Sequence, residues 1–299
     1  MNSQLIGWVA LCLIPRIGGK TLSGLLDAFG SPRAVFDASP EALLDVPLIG
    51  RKTIDAIREI DLAQVEQQIA AWEEDGITLL TWQDRHYPTP FLDLNDRPPL
   101  LFARGELSQK WERVIGIVGT REPDIEAVSF AENAGRELAQ RGWLVVSGLA
   151  RGIDAAAHRG AVKSGRTVAI LGSGVSNIQP MSNRELARQL MRQGAIYAEV
   201  APETLPGAAT LMARNRLISG LAKALIVVQA GIESGSMEAA RRARQQQRTV
   251  LTLDHPEYEG NQALLRMEAQ PLDPNLCDWD RLADLLEKLP DPPKQLSLF

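Results

Sequence analysis

The chain is short of the residues that build metal centres and disulfide frameworks: its 299 residues include two cysteines and three histidines. Cys12 and Cys277 lie far apart and match no metal-ligand spacing, so they read as reduced structural thiols, and no metal or cofactor is expected. Aromatic residues make up 5% of the chain. They are sparse in the strand-bearing stretch, with Trp143 and Tyr197 among the few there, which excludes extended aromatic stacking platforms. No apolar run approaches the ~18 residues that span a bilayer. The opening segment lacks the charged, apolar, small-residue order of a secretion signal, so no membrane contact and a cytoplasmic location are expected. Positive charge is also in deficit, with 32 Lys and Arg against 37 Asp and Glu and a net charge of −5. A uniformly basic surface is therefore excluded.

That average conceals an asymmetry. Residues 151–250 carry fourteen basic against six acidic side chains, whereas residues 1–100 carry eight against fourteen. Arg241, Arg242, Arg244 and Arg248 fit a solvated helix face. The other basic residues of the block fall in loops beside glycines, which points to an anion site.

Within the first seventy residues, Pro15-Arg16-Ile17-Gly18-Gly19-Lys20-Thr21 returns as Pro47-Leu48-Ile49-Gly50-Arg51-Lys52-Thr53. Each copy follows a short apolar run and precedes a helical pattern, so each is expected to be a hairpin between helices. The pair resembles tandem helix-hairpin-helix motifs. The resemblance implies that Gly18 and Gly50 let the backbone approach a DNA phosphate while Lys20 and Lys52 add charge. The alternative is that the hairpins only build a small bundle or dock on another protein, and the acidic balance of this block favours that side.

Residues 85–106 are proline-rich and read as a connector packed on the main domain. From Val114 onward, apolar runs of strand length (114–118, 143–147, 167–171, 196–200, 224–228, 249–253) alternate with helical stretches (125–141, 153–164, 183–193, 213–221, 235–247). Continuously apolar strands separated by helices indicate a parallel sheet covered on both faces. The expected fold is α/β, a Rossmann-like, doubly wound, mostly parallel sheet with an N-terminal all-helical domain. The expected division is a helical domain over 1–75, a connector over 76–112, the main domain over 113–270, and a helix with a flexible tail over 271–299. Ligands of such sheets bind beyond the carboxyl ends of the strands, and there the chain places Gly119-Thr120-Arg121, Ser147-Gly148-Leu149-Ala150-Arg151-Gly152-Ile153-Asp154, Gly172-Ser173-Gly174 with Asn183, Arg214-Asn215-Arg216, and Ser234-Gly235-Ser236. Glycines admit an anion to backbone N–H groups, while serine and arginine supply further donors.

These stretches, with Tyr87-Pro88, Arg97-Pro98-Pro99, Ala157-His158, Arg214 through Leu221 and Gly260-Asn261, resemble the DNA-processing protein A (DprA, or Smf) family of bacteria over about residues 85–265. The resemblance implies a non-enzymatic, homodimeric protein that holds and protects single-stranded DNA and helps load a RecA-type recombinase. Carried over residue by residue, it implies a phosphate pocket of Arg121, Ser147, Gly148, Arg151, Gly152, Arg214, Asn215, Arg216, Ser234, Gly235 and Ser236. Gly119, Gly172, Gly174 and Asn183 join them from their strand-end loops.

The chain departs from the family pattern at Thr120, at Gln179-Pro180 and at Met237-Glu238. Gly235-Ser236-Met237-Glu238 could imitate the site of the related nucleoside-monophosphate phosphoribohydrolases, with Glu238 acting on the ribose and Arg216 holding the phosphate. A nucleotide hydrolase is thus one alternative, and a defence-associated regulator that senses DNA ends or nucleotides is another. Asp154 and His158 are four apart, a spacing that suits a helix-start carboxylate bonded to a histidine better than a metal site lacking a third ligand. Finally, Gln295-Leu296-Ser297-Leu298-Phe299 follows a proline-rich link and resembles the peptide by which bacterial repair proteins bind the replication sliding clamp. That resemblance assigns Gln295 to the groove edge and Leu296, Leu298 and Phe299 to apolar pockets. The alternative is that the tail folds back on its own domain.

Overall fold

The structure, a computed structural model, describes residues 3–107, 110–275 and 277–290. Six helices come first: α1 (Ser3–Leu13), α2 (Gly19–Phe29), α3 (Pro32–Asp37), α4 (Pro40–Leu44), α5 (Arg51–Glu59) and α6 (Leu62–Glu74). Their starts are written locally. Ser31 and Ser39 each accept a backbone N–H three residues on, with a proline in the first turn, and Asp61 caps α6 in the same way. Each such cap contributes about 1 kcal/mol. The two repeats form the turns that enter α2 and α5, and in both the left-handed residue is the one after proline, Arg16 (φ 74) and Leu48 (φ 71), rather than a glycine.

A nine-stranded sheet comes next, in the order β1-β2-β6-β5-β4-β3-β7-β8-β9. Its strands are β1 (Thr78–Leu80), β2 (Leu101–Gly105), β3 (Val114–Val118), β4 (Leu144–Ser147), β5 (Thr167–Leu171), β6 (Ala195–Ala198), β7 (Ala224–Val227), β8 (Thr249–Leu253) and β9 (Gln270–Leu272). β2 runs antiparallel to both of its neighbours, β1 and β6, and the other neighbouring pairs are parallel. Between the parallel strands run α7 (Ile125–Gln140), α8 (Ile153–Ala161), α9 (Arg184–Met191), α10 (Ala208–Leu221), α11 (Gly235–Gln245) and α12 (Glu259–Arg266), and α13 (Trp279–Lys288) closes the described chain. The doubly wound, Rossmann-like architecture with a helical N-terminal region is therefore the fold.

Alternation along β3 shows how the sheet is buried. Val114 and Val118 join one core with Leu217, Ile218 and Leu221 of α10 and Ala239, Ala240 and Ala243 of α11. Ile115 and Ile117 join the opposite core with Phe130, Ala134 and Leu138 of α7, Ile153 and Ala157 of α8, and Leu282 and Leu286 of α13. A strand buried on both faces needs no polar alternation.

Two of the expected divisions change. The connector over 76–112 is not merely packed on the main domain, because β1 and β2 extend its sheet through β6. The segment after 270 likewise begins inside β9 and continues into α13, which packs on α7. Nor does the helical block stand apart. Val9 and Ala10 of α1 and Val65, Ile69 and Trp72 of α6 share a core with Phe102, Leu171 and Ile196. Trp8, Trp82 and Tyr87 donate to the carbonyls of Pro99, Pro98 and Pro98 at 2.7, 2.8 and 2.7 Å, and Arg97 lies over the Trp82 ring, 3.9 Å from its centroid. Tyr87-Pro88 and Arg97-Pro98-Pro99 thus weld the helices to the sheet.

His158, buried in α8, bonds not to Asp154 but to Thr167 on β5. Thr167 Oγ1 donates to the Val145 carbonyl at 2.8 Å, so the 2.7 Å contact from His158 Nδ1 is a donation into its free lone pair. Burial, with Arg214 nearby, pushes the imidazole from 6.5 down to about 3. The unfolded chain therefore binds the extra proton across that interval, and stability declines as pH falls from about 6.5 to 3, by at most about 1.4 kcal/mol per pH unit from this group. Histidine ring NMR will show His158 neutral at pH 4 in the folded protein; a midpoint near 6.5 would contradict the buried tautomer.

Candidate anion-binding groove

In the parallel part of the sheet the strand order reverses between β3 and β7, whose loops both leave the carboxyl edge. Ligands bind at such switch points because the diverging loops leave a crevice. A cavity of about 470 Å³ lies there, lined by Gly119, Thr120 and Arg121 after β3, by Ser234, Gly235 and Ser236 after β7, and by Met212, Arg214 and Asn215 of α10. A second, of about 350 Å³, continues across the ends of β4 and β5 and is lined by Gly148, Arg151, Gly172, Ser173, Pro180 and Pro206. Arg121, Ala150, Leu211 and Arg214 line both, so the two form one groove.

Arg214 is the pivot. Its side chain is 7% exposed, and Nη1 donates to the Ile170 carbonyl at 3.0 Å. Asp154 lies 3.9 Å away, and Nε has no partner among the described residues. Burial pushes this guanidinium below its ordinary value, Asp154 opposes that, and Arg121 adds to it by like-charge repulsion. Gly148 makes the placement feasible, since a Cβ there would lie 1.2 Å from Arg214 Nη1. Arg121 and Arg151 are exposed on the same groove, and neither pairs with a carboxylate of the described residues. An anion entering here relieves repulsion that Asp154 compensates only in part.

The backbone donors are fewer than the glycine-rich sequence suggests. Asp154 Oδ2 accepts the amides of Gly148 and Ala150 at 3.1 and 3.4 Å, so those N–H groups serve the loop, not a ligand. Burial raises the Asp154 carboxyl above its ordinary value against the pull of Arg214. Thr120 N–H donates to the Gln229 carbonyl at 2.7 Å. At the start of α11, Ser234 accepts from Met237 N–H, while the amides of Gly235 and Ser236 keep no partner among the described residues. Helix starts leave such N–H groups free and carry partial positive charge. Glu122, exposed, lines the same cavity as a carboxylate.

Several expected pocket residues lie elsewhere. Ser147 is fully buried and donates to the Ile117 carbonyl at 2.6 Å. Asn183 donates to the carbonyls of Leu149 and Ala150 at 2.9 and 3.1 Å, pinning the β4 loop without capping its helix. Gly152 adopts φ 76 with a carbonyl of Thr120 against it, and Gly174 donates its N–H to the Thr204 carbonyl at 2.9 Å. Asn215 lines the groove but spends its amide on the Gly235 carbonyl at 3.1 Å, holding the α11 start in place. Asn261 does similar work behind the site, bridging Val228, Ala230 and Leu253.

Arg216 faces away from the groove. Its guanidinium takes both Glu199 oxygens at 2.9 and 2.8 Å and Asp96 at 3.0 Å. Burial opposes its charge, but Glu199 and Asp96 outweigh it and hold the group above its ordinary value. Glu238 is likewise engaged. Arg241 reaches it twice at 2.6 Å and Arg242 at 2.8 Å, so hydrogen bonds from Arg241 foremost hold its carboxyl below the ordinary range, with burial opposing and Arg242 adding to the effect. It does not line the cavity, so the imagined hydrolase pair of Glu238 and Arg216 is not assembled. In the helical block, Gly18, Lys20, Gly50 and Lys52 are exposed, whereas Gly19 packs against the Arg97 carbonyl. Gln295, Leu296, Leu298 and Phe299 lie outside the described residues.

Sequence reasoning missed Leu211, Met212 and Pro206 as groove walls. The Leu-Pro-Gly stretch before α10 was the available signal, since it marks a helix entry directly facing the strand ends.

Comparison with known proteins agrees with this geometry. The family model of DNA recombination-mediator protein A matches residues 78–281, and that of a SAM-like helix-hairpin-helix tandem matches residues 10–60. DNA processing protein DprA of Bacillus subtilis is 32% identical over 268 residues, 85% of this chain and 88% of that one. Protein Smf of Escherichia coli is 36% identical over 194 residues, 64% of this chain and 52% of that one. Among solved structures, DNA processing protein A of Helicobacter pylori, described for its single-stranded DNA binding mode, superposes with TM-score 0.63 at 28% identity, covering 71% of this chain and 96% of that one. That of Streptococcus pneumoniae shares the fold over 97% of this chain and 99% of its own, with TM-score 0.74 at 21% identity.

Proposed function

Because the chain belongs to the DNA recombination-mediator protein A family, we propose that it binds single-stranded DNA by the phosphate backbone along the groove at the carboxyl edge of its sheet. The observation that carries this is the set of three guanidiniums, Arg121, Arg151 and Arg214, on one continuous groove of an acidic protein, two of them exposed without a carboxylate among the described residues. At least seven arginines elsewhere are held by the protein's own carboxylates, whereas Arg121 and Arg151 stand on the groove without one among the described residues. Unpaired ones facing a shared concavity are suited to an external polyanion. Gly119, Gly148 and Gly172 keep the floor low, and the free amides of Gly235 and Ser236 add neutral donors. The relatives support the same role: the Helicobacter pylori protein binds single-stranded DNA.

The finer parts of the proposal rest on the family resemblance: no catalytic step, a homodimer, and delivery of the strand to a RecA-type recombinase. The exposed Gly18, Lys20, Gly50 and Lys52 of the two hairpins offer a second backbone contact. The Gln295–Phe299 peptide docks on the sliding clamp.

Arg121→Ala with Arg151→Ala will weaken retention of an oligothymidylate at least tenfold, read by fluorescence anisotropy. It will also lower the slope of log affinity against log salt by about 0.7 for each phosphate that the variant no longer neutralises. Unchanged affinity and slope would place the DNA elsewhere. For the tail, deletion of residues 295–299 will abolish co-elution with the purified clamp; persistent co-elution would remove the peptide from consideration.

A further inference from the structure

Beyond the phosphate contacts, the groove has a second wall whose chemistry is of another kind. Large apolar side chains are rarely left in solvent in a groove without reason, because each forgoes the gain of burial. Here they cluster. Met212, 45% exposed, lines the cavity beside Arg121 and Arg214. Met181, 62% exposed, sits between Pro180 and Ser182, both of which line the adjoining cavity. Leu205, 71% exposed, precedes Pro206, which lines it too. Leu211 lies between, common to both cavities. The aromatic side chains that usually stack on bases are absent from the lining of either cavity.

We infer that Pro180, Met181, Leu205, Pro206, Leu211 and Met212 form an apolar ledge on which the bases of the bound strand lie, while the guanidiniums hold its phosphates. The inference rests on the reading that this groove holds single-stranded DNA. A single strand is itself two-sided, one edge charged and strongly hydrated, the other a series of flat, weakly hydrated rings. The groove offers both kinds of surface, with guanidiniums in the loops after β3 and β4 and at Arg214 of α10, and thioether, aliphatic and pyrrolidine surfaces after β5, on the approach to α10 and in its first turns. Methionine suits such a surface because its unbranched, polarizable side chain adapts to rings of different outline. Contact of this sort reads no hydrogen-bonding edge, so the ledge favours any unpaired base over none and discriminates little among the four. Duplex DNA, whose bases face inward, leaves the ledge uncovered.

The test compares two labelled oligonucleotides of equal length, an oligothymidylate and a fully abasic strand, by anisotropy at two salt concentrations. The wild-type chain is expected to bind the abasic strand with the same salt slope but about tenfold more weakly. Leu205→Ser with Met212→Ser, both at exposed positions, is expected to bring oligothymidylate affinity down toward the abasic value and leave abasic affinity unchanged. Equal affinity of the wild type for both strands, with the salt slope intact, overturns the ledge and spares the phosphate groove. Equal weakening of both ligands by the double variant also overturns it. If neither strand binds, the phosphate groove itself fails and the ledge with it.

Discussion

The carboxyl edge of this sheet is organised around one buried cation. Arg214 reaches from α10 over the backbone of Gly148, anchors on the Ile170 carbonyl at 3.0 Å, and stops 3.9 Å from Asp154. A separation of that length neutralises the charge incompletely, and Nε remains without a partner among the described residues. Burying a guanidinium in this state is costly unless a further anion completes it. The same Asp154 shapes the β4 loop by holding the amides of Gly148 and Ala150, so loop and cation are set by one carboxylate. Asn183 fixes that loop from the other side through Leu149 and Ala150.

Helix geometry then separates two arginines that look alike in sequence. Positions i and i+2 do not share a helix face, so Arg214 turns to the strand ends while Arg216 turns to the connector. There Glu199 and Asp96 saturate it. One is a ligand-seeking charge and the other a structural clamp between α10 and the segment before β2. The contrast comes from the number of carboxylates around each guanidinium, and it also removes Glu238, whose two arginine partners direct it along α11.

The fold was largely legible because its signal is hydrophobic continuity. Six apolar runs became β3 through β8 with shifts of a residue or two, since strands buried on both faces leave little freedom of assignment. β1, β2 and β9 were not foreseen as strands. They lie at or beyond the edge of the parallel core and take their pairing from neighbours rather than from an internal pattern. α10 begins five residues before the expected 213 because the Gly207 N-cap and Thr210 start it early. At the site, glycine spacing identified the loops but not the use of their amides. Whether an N–H faces a ligand or an internal carboxylate depends on the distance to Asp154, which no spacing encodes. Motifs such as Tyr87-Pro88, Arg97-Pro98-Pro99 and Gly260-Asn261 marked the family while serving the scaffold, as their hydrogen bonds show.

The central claim, that the incompletely paired Arg214 and its neighbour Arg121 receive the phosphates while Arg216 does not, is open to direct observation by arginine Nε–Hε NMR during titration with an oligothymidylate. Resonances of Arg214 and Arg121 should shift together and saturate with binding, with that of Arg216 unmoved. A shift of Arg216 with Arg214 and Arg121 silent would contradict it.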